Sequence, residues 1–307
     1  MVELEESRDR DQVGCQASVE TTVKNLWRGS RTGFLLVSLL LLGCPPAEEP
    51  LERGGAVTRI VSLAPNLTEI LFALDLGDRI VGVTDYCDYP PEALEKTRVG
   101  GFVNPNLEAV VGLEPDLVVA TPNVGNKNTV LQLRKLGIEF LIVDPDSLEG
   151  LWTTIRVLGE RAGVPERGKA LAARLSGEVE AVRARLEPLP RVSTLMVFSR
   201  EPLIVAGPDT FFDELLRTAG GDNIAADAGT QFPQFSLEEV VRQGPAVIID
   251  SAMGAGDGWD FWKRWGSIPA VRDGRVCSPP TDVITRPGPR VAEGIRLLAA
   301  CLHPEVM

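Results

Sequence analysis

The apolar residues of this chain fall into short runs that are separated by segments of helical periodicity. Runs rich in branched residues, as buried strands are, occupy residues 59–63, 79–83, 116–120 and 139–143. A helix is predicted after the first run, because Asn66-Leu-Thr-Glu69 fits a capping box and Gly77 is placed to end it. Helices between successive strands indicate a parallel sheet that is covered on both faces.

The same alternation resumes in the second half of the chain. Strands are predicted at 191–199, 203–206, 246–250 and 275–277, and helices near 209–219, 236–243, 259–265 and 289–301. Between the halves, residues 148–187 look helical throughout except for a break at Gly163-Val-Pro165. The piece after the break is about 20 residues long and would span about 30 Å, roughly one domain diameter. It is predicted to bridge two lobes; the alternative is an ordinary surface helix of one domain.

An internal repeat favours two lobes. Residues 106–120 align without gaps on residues 236–250, and Leu, Glu, two Val and Pro coincide. Each copy begins with a residue that caps helices, Asn106 or Ser236. The predicted fold class is therefore α/β, with two similar Rossmann-like lobes of mostly parallel strands joined by a single long helix.

The domain boundaries follow from this pattern. The N-terminal α/β lobe is placed at 57–147, the helical segment with the bridging helix at 148–190, and the C-terminal α/β lobe at 191–307. Residues 45–56 are rich in Pro, Glu and Gly and are predicted to be a flexible tether.

The segment before the tether is typical of export. Residues 33–43 form an uncharged apolar run that is too short to span a bilayer but suits the core of a signal peptide. Three cations precede it: Lys24, Arg28 and Arg31. Leu41-Leu-Gly-Cys44 resembles a bacterial lipobox, so residues 1–44 are interpreted as an extension and a lipoprotein signal peptide. The protein is expected to be exported, periplasmic or at the cell surface, and anchored through an acylated Cys44; the alternative is a plain secretory signal.

The first residues do not fit that signal. Residues 1–22 are polar, acidic and too long for a positively charged n-region. A translation start at Val23 would give a signal of normal length and would remove Cys15.

Charge and composition narrow the function classes. A formal net charge of −12 argues against a nucleic-acid partner, which needs basic faces, and against binding of anionic lipid headgroups. His303 is the only histidine, and no CxxC, GxSxG or phosphate loop occurs. The chain is therefore predicted to be no enzyme and to hold no metal or cofactor. Cys277 and Cys301 pair only if both lie in one lobe, and this stays open.

A ligand site is expected in the crevice between the lobes, at the carboxyl ends of the strands, where open α/β sheets bind ligands. Loops predicted to face the crevice carry aromatic residues and polar anchors. These residues are Tyr86, Phe102, Phe232, Asp282 and Arg286. For each of them the alternative is packing against its own lobe.

Two acids occupy the same position in the two repeats, Glu108 and Glu238. Both lie near predicted helix N-termini, where the helix dipole alone would favour a carboxylate. The functional interpretation is a symmetric docking pattern for a partner with two-fold symmetry that presents two basic sites.

Two long segments resemble the substrate-binding proteins of ABC importers for cobalamin, iron-siderophores and haem. They read RIVSLAPNLTEILFALDLGDRIVGVTDYCDYPPEA and NLEAVVGLEPDLVVA. The likeness runs over nearly all of residues 57–302 and is greatest to the vitamin B12-binding branch, through the Tyr86-x-Asp-Tyr-Pro-Pro motif, Phe232-Pro-Gln and Asp282…Arg286. It implies a corrinoid ligand, cobalamin, between two lobes that open little. The alternative is a ferric siderophore or haem.

The resemblance also implies roles for single residues. Tyr86, Asp282 and Arg286 match positions that contact the corrin. The positions where the family lines its cleft with tryptophan hold other residues here: Phe102, Thr121 and Phe232.

The partners implied are a permease dimer with its ATPase subunits, reached through Glu108 and Glu238, and the membrane through the lipid anchor only. No nucleic acid is expected, and the protein is expected to be a monomer.

The best-known members pair a cysteine with the position of Cys301, but Ala219 stands at that place, so that disulfide is expected to be absent. A remote alternative is an α/β enzyme acting on a nucleotide, against which the missing phosphate loop counts.

Overall fold

Two five-stranded sheets organise the chain in its computed structural model, which describes residues 56–122, 132–133, 135–252 and 258–305. The strands are β1 (Ile60–Ser62), β2 (Ile80–Val83), β3 (Thr97–Arg98), β4 (Leu117–Ala120), β5 (Glu139–Ile142), β6 (Val192–Arg200), β7 (Leu203–Val205), β8 (Gly221–Asn223), β9 (Val247–Asp250) and β10 (Val276–Cys277). Strands β1–β5 form the sheet of the first lobe, and strands β6–β10 form that of the second.

Helices cover the sheets and connect them. They are α1 (Pro65–Ala73), α2 (Leu107–Gly112), α3 (Leu148–Arg161), α4 (Pro165–Leu186), α5 (Phe211–Thr218), α6 (Leu237–Gln243), α7 (Gly258–Trp262), α8 (Pro269–Arg272), α9 (Thr281–Ile284) and α10 (Val291–Leu302). Two 3₁₀ turns add to them, Gly77–Arg79 and Pro91–Glu95.

The first sheet has the order β3-β2-β1-β4-β5, and all its described pairs are parallel. The second has the order β10-β9-β6-β7. The long β6 pairs in parallel with β8 through its first residues and antiparallel with β7 through its last ones. The eight predicted strands are confirmed. The other two, β3 and β8, lack an apolar run and owe their strand form to pairing with a neighbour.

The prediction for the start and end of the first helix was wrong. Helix α1 begins at Pro65, and Ala64, its N-cap residue, makes no side-chain cap. Asn66 and Glu69 are both buried, and they bond residues of the second lobe instead of forming a capping box. The helix ends before Gly77, because Asp75 takes a left-handed backbone conformation with φ 55°.

One hydrophobic core runs through both lobes. In β4, Leu117 and Val119 point into this shared core, while Val118 and Ala120 point into a smaller cluster beneath α2. Strand β9 alternates in the same way in the second lobe. Residues of α1, α3, α4, α5 and α10 complete the shared core. The lobes therefore cannot separate without exposing apolar surface, which costs about 25 cal/mol per Å².

Helix α4 is the predicted bridge, and it is packed along one face. Its buried residues are Gly168, Leu171, Ala172, Leu175, Val179, Val182 and Leu186. Near its start, Arg167 donates to the carbonyl oxygen of Leu74 in the first lobe at 3.2 Å. Farther along it contacts α5 and α10 of the second lobe.

A disulfide joins Cys277 of β10 to Cys301 of α10, with their Cα atoms 6.1 Å apart. The pairing that the sequence left open is therefore present within the second lobe. The two cysteines are 24 positions apart in the sequence. A bridge of this span stabilises the folded state by roughly 3 kcal/mol, because it lowers the conformational entropy of the unfolded chain. Ala219 is buried, and Cys87 is a buried free thiol.

Several predictions concern residues outside the described ranges, namely the signal peptide of residues 1–44 with Cys44, nearly all of the tether, and the start at Val23. Within the described ranges, none of the helices combines the length and the apolar character that crossing a membrane requires. The same residues contain no group of three or more His, Cys, Asp or Glu side chains placed to hold a metal ion.

Helices α3 and α4 approach closely at a pair of glycines. A Cβ added to Gly159 would lie 2.9 Å from the Cα atom of Gly168, closer than real Cβ atoms come. Gly159→Ala is expected to lower the free energy of unfolding by about 1–3 kcal/mol, because the methyl group overpacks this contact.

The matched control is Gly177→Ala in the exposed face of α4, where an added Cβ meets no atom within 4 Å. This change is expected to raise the free energy of unfolding by about 1 kcal/mol through helix propensity. Chemical denaturation measures both variants. Effects of the same sign would contradict the close packing of α3 on α4.

Candidate functional site

The loop after β2 presents Tyr86 at the carboxyl edge of the first sheet. The side chain of Tyr86 is 62% exposed. The loop beneath it is fixed, because Arg98 donates to the carbonyl oxygens of Thr84 and Cys87 at 2.7 and 2.8 Å. The exposed ring of Tyr86 therefore stands on a well-held backbone.

Two more predicted residues lie at the same edge. Phe102 is half-buried and packs against the shared core, in a loop that begins where Gly100 accepts a hydrogen bond from the amide of Asp85 at 3.0 Å. Thr121 directly follows β4 and is also half-buried. Parallel strands bring these chain ends together, so the first lobe contributes Tyr86, Phe102 and Thr121 to one edge.

The second lobe presents a cluster of phenylalanines. Phe232 is 48% exposed, and its ring packs edge-to-face on Phe198 and Phe212, with ring centroids 5.7 and 6.2 Å apart. Phe198 follows Val197, which pairs with Asp250, the last residue of β9. The cluster therefore lies at the carboxyl edge of the second sheet.

The loop that carries Phe232 runs beside β7. The amide of Gly207 donates to the carbonyl oxygen of Gln231 at 2.8 Å, and the amide of Val205 donates to that of Pro233 at 3.2 Å. A Cβ at Gly207 would lie 2.2 Å from the carbonyl oxygen of Thr230. Only glycine permits this approach, so Gly207 fixes where Phe232 stands.

A cluster of charges joins the two lobes beside these aromatic surfaces. Glu69 of α1 is buried, and Arg290 of the second lobe donates to both of its carboxylate oxygens at 2.7 and 2.9 Å. Arg290 also donates to Asp282 at 2.8 Å, and its guanidinium lies 4.1 Å from the ring centroid of Tyr89. A bidentate pair of this kind is the strong form of ion pair. Asn66 adds a bond to the carbonyl oxygen of Pro287 at 3.2 Å.

Arg286 is the second cation of this cluster. It donates to Asp88 at 2.6 Å, to Glu69 at 3.3 Å and to the carbonyl oxygen of Tyr86 at 3.4 Å. The hydrogen bond from Arg286 lowers the pKa of Asp88 below its usual value. Burial alone would lower the pKa of Arg286, but its bonds to Asp88 and Glu69 outweigh burial and raise it. Asp88 and Arg286 are therefore a charged pair at neutral pH.

Three of the six predicted ligand residues lie at the charge cluster. Asp282 and Arg286 belong to it, and the carbonyl oxygen of Tyr86 accepts a bond from Arg286. Phe102 and Thr121 lie on the first lobe. Among the described contacts, the ring contacts of Phe232 are with its own lobe.

Glu69 and Arg290 are not among the site residues that the sequence predicts. One signal was present: a carboxylate stands inside the apolar stripe of the first helix, where a lone buried charge needs a partner. A cavity of about 760 Å³ borders this pair and is lined by both residues together with Phe72, Tyr89 and Lys96. Its remaining lining residues are Ala73, Asp75, Gly77, Asp78, Pro90, Glu92, Glu95 and Pro289.

The two repeats have matching structures. Each short helix is capped by the residue that starts its repeat, since Asn106 and Ser236 accept from amides three positions ahead. Glu108 and Glu238 are both exposed, in the first turns of α2 and α6. A bond from its own backbone amide and one from the Ser236 hydroxyl lower the pKa of Glu238. Both lobes therefore present one acid in the same local setting.

Comparison with known proteins gives consistent matches. The sequence profile of the periplasmic binding protein family matches residues 60–283. The vitamin B12-binding protein of Vibrio parahaemolyticus serotype O3:K6 (strain RIMD 2210633) is 31% identical over 273 residues, which cover 88% of this chain and 96% of that protein. An uncharacterized ABC transporter substrate-binding lipoprotein, YvrC of Bacillus subtilis (strain 168), is 32% identical over 254 residues, 80% of each chain.

Solved structures agree. The periplasmic heme-binding protein RhuT from Roseiflexus sp. RS-1, in its apo form, superimposes with a TM-score of 0.73 at 30% identity. The match covers 80% of this chain and 99% of that one.

Replacing a carboxylate of the charge cluster by its amide is expected to affect stability unequally at Glu69 and at Asp88. Glu69→Gln is expected to lower the free energy of unfolding by about 3 kcal/mol, because it leaves the largely buried guanidinium of Arg290, 12% exposed, short of a countercharge. Asp88→Asn is the matched control, since the Asp88 side chain is 56% exposed, and it is expected to cost less than about 1 kcal/mol. Urea denaturation compares the two variants, and equal losses would contradict the central place of Glu69.

Proposed function

The chain belongs to the periplasmic binding protein family, and we propose that it is an extracytoplasmic solute-binding protein that captures a corrinoid between its lobes and delivers it to an ABC importer. In this role the protein is a carrier without catalytic activity. The lobes are those predicted at 57–147 and 191–307, with the helical segment between them.

One observation carries the proposal. Each lobe presents an exposed aromatic side chain at the carboxyl edge of its sheet, Tyr86 on one and Phe232 on the other. Aromatic surfaces of this kind suit a large, flat and partly apolar ligand. The shared core and the Glu69–Arg290 pair hold the lobes, so the ligand meets a largely preformed site and loses less free energy to ordering the protein.

The corrinoid is favoured over haem by the motif around the site. The Tyr86-x-Asp-Tyr-Pro-Pro loop and Asp282…Arg286 resemble the vitamin B12-binding branch, and a relative named for that ligand is 31% identical. Haem iron usually takes an axial ligand such as His, Cys, Met or Tyr. The one histidine of the chain, His303, is buried against Gly220 in the second lobe.

Haem is the second candidate, and two observations favour it. The heme-binding protein RhuT matches this chain at 30% identity, and exposed Tyr86 is a possible axial ligand. A ferric siderophore belongs to the same class of alternatives.

We also propose a lipid anchor at Cys44. Its support is the apolar run before Cys44 and the lipoprotein description of the Bacillus subtilis relative. The importer partner is proposed to be a permease dimer with its ATPase subunits, which Glu108 and Glu238 would contact.

Ligand binding is tested directly. Purified protein incubated with cyanocobalamin and desalted is expected to stay pink, and calorimetry gives the affinity. Phe232→Ala is expected to weaken binding by about 10–100-fold, because a buried aromatic side chain contributes about 1.5–3 kcal/mol.

Leu136→Ala is the control, an exposed apolar residue before β5, at the opposite edge of the first sheet. It is expected to bind like the unchanged protein. A protein that stays colourless after incubation with cyanocobalamin but shows a haem absorption spectrum after incubation with haem would make haem the proposed ligand.

Docking is tested by a double change. Glu108→Ala with Glu238→Ala is expected to leave ligand affinity unaltered and to reduce transport into vesicles that contain the importer at least about tenfold, because two interfacial charges are lost. Glu166→Ala with Glu180→Ala, two exposed acids of α4, removes the same charge and is expected to transport normally. Full transport by the Glu108→Ala, Glu238→Ala variant would contradict the proposal that these two acids contact the importer.

A further inference from the structure

Two carboxylates of the charge cluster between the lobes are far more exposed than its other members. The side chains of Glu69, Arg290 and Arg286 are 2%, 12% and 17% exposed, whereas those of Asp282 and Asp88 are 44% and 56% exposed. Of these two, Asp88 belongs to the loop of Tyr86, at the edge proposed to meet the ligand. The bond between Asp88 and Arg286 is therefore the one at that edge that solvent reaches.

The ion pairs of the cluster differ in how easily a ligand could replace one partner. Arg290 holds Glu69 with two short bonds in a buried setting, and separating such a pair would leave charges without partners. Arg286 bonds Glu69 at 3.3 Å through Nη1, the same nitrogen that bonds Asp88 at 2.6 Å. Releasing Asp88 costs less than separating the buried pair, because its exposed carboxylate regains water.

One arm of Arg286, its Nη1 nitrogen, therefore bonds the buried Glu69 and the exposed Asp88 at once, which its two N–H donors allow. A guanidinium has several N–H donors in a fixed fork, so it can trade one acceptor for another without moving. An acceptor oxygen of a ligand lying over Tyr86 would compete with Asp88 for that arm.

Building on the function proposed above, we propose that Asp88 is an affinity-setting residue that occupies Arg286 in the free protein and yields it to an acceptor oxygen of the bound ligand. The competition weakens binding by the strength of the Asp88–Arg286 bond and so favours release of the ligand. The bond to Arg286 that offsets this cost grows with the charge of the acceptor: a neutral amide carbonyl gains least, and a phosphodiester or a carboxylate, each with one negative charge, gains more.

The test is a double-mutant cycle on ligand affinity with cyanocobalamin, which carries a phosphodiester, and with haem, which carries carboxylates. Asp88→Asn is expected to lower the Kd of whichever probe binds by about two- to five-fold, since the Coulombic part of an exposed pair is removed. In the Arg286→Gln background the same change is expected to have no effect on Kd, because no arm is left to compete for.

Asp85→Asn is the matched control, an exposed acid three residues earlier in the same loop, with the same loss of charge. It is expected to leave Kd unchanged, which separates competition for Arg286 from a general effect of charge.

The outcomes are distinct. A higher Kd for Asp88→Asn would mean that Asp88 itself binds the ligand and would overturn the competition. Equal effects of Asp88→Asn with and without Arg286 would overturn it as well, while the proposed function would stand. An unchanged protein that binds neither cyanocobalamin, haem nor a ferric siderophore would overturn the proposed function together with this inference.

Discussion

A buried carboxylate sets the relation between the lobes of this protein. Glu69 lies in the first helix, and the cation that neutralises it, Arg290, lies 221 residues later in the chain. A charge taken out of water is tolerated only with a partner of opposite sign and with its hydrogen bonds complete. The pair therefore constrains how the two lobes are placed against each other, because in another arrangement buried Glu69 would lose Arg290. Arg286 and Asp88 extend that contact to the loop of Tyr86.

The shared core makes the arrangement stiff. Alternate residues of the strands in both sheets, together with α1, α3, α4, α5 and α10, belong to one continuous apolar cluster. A bond between the helical segment and the second lobe adds to it, since Glu214 of α5 accepts from the amide of Leu148 at the start of α3 at 2.8 Å. Such a body is suited to holding a solute in a preformed gap, because little ordering is left to be done when the solute binds.

The two lobes share their exposed acids but differ in their aromatic loops. The repeated helix-and-strand units present Glu108 and Glu238 in the same local setting, as recognition by a symmetric partner requires. The loops at the carboxyl edges of the two sheets differ: one lobe offers Tyr86 on a loop fixed by Arg98, and the other offers Phe232 on a phenylalanine cluster. An asymmetric pair of surfaces suits a ligand that has no two-fold axis.

The sequence by itself determined eight of the ten described strands, the long helices, the break at Gly163 and the duplication, because these depend on local periodicity and on turn residues. It also placed Tyr86, Phe232 and Arg286 on loops that follow strands. Only the tertiary structure decided the partners of Glu69. The four residues from Asn66 to Glu69 satisfy the local pattern of a capping box, yet Asn66 and Glu69 bond the second lobe. A capping pattern is read within one turn of helix, whereas a buried charge is neutralised by whatever the fold brings near it. Pairing over long distances in the chain, in the ion cluster as in the Cys277–Cys301 bridge, leaves no periodic trace in the sequence.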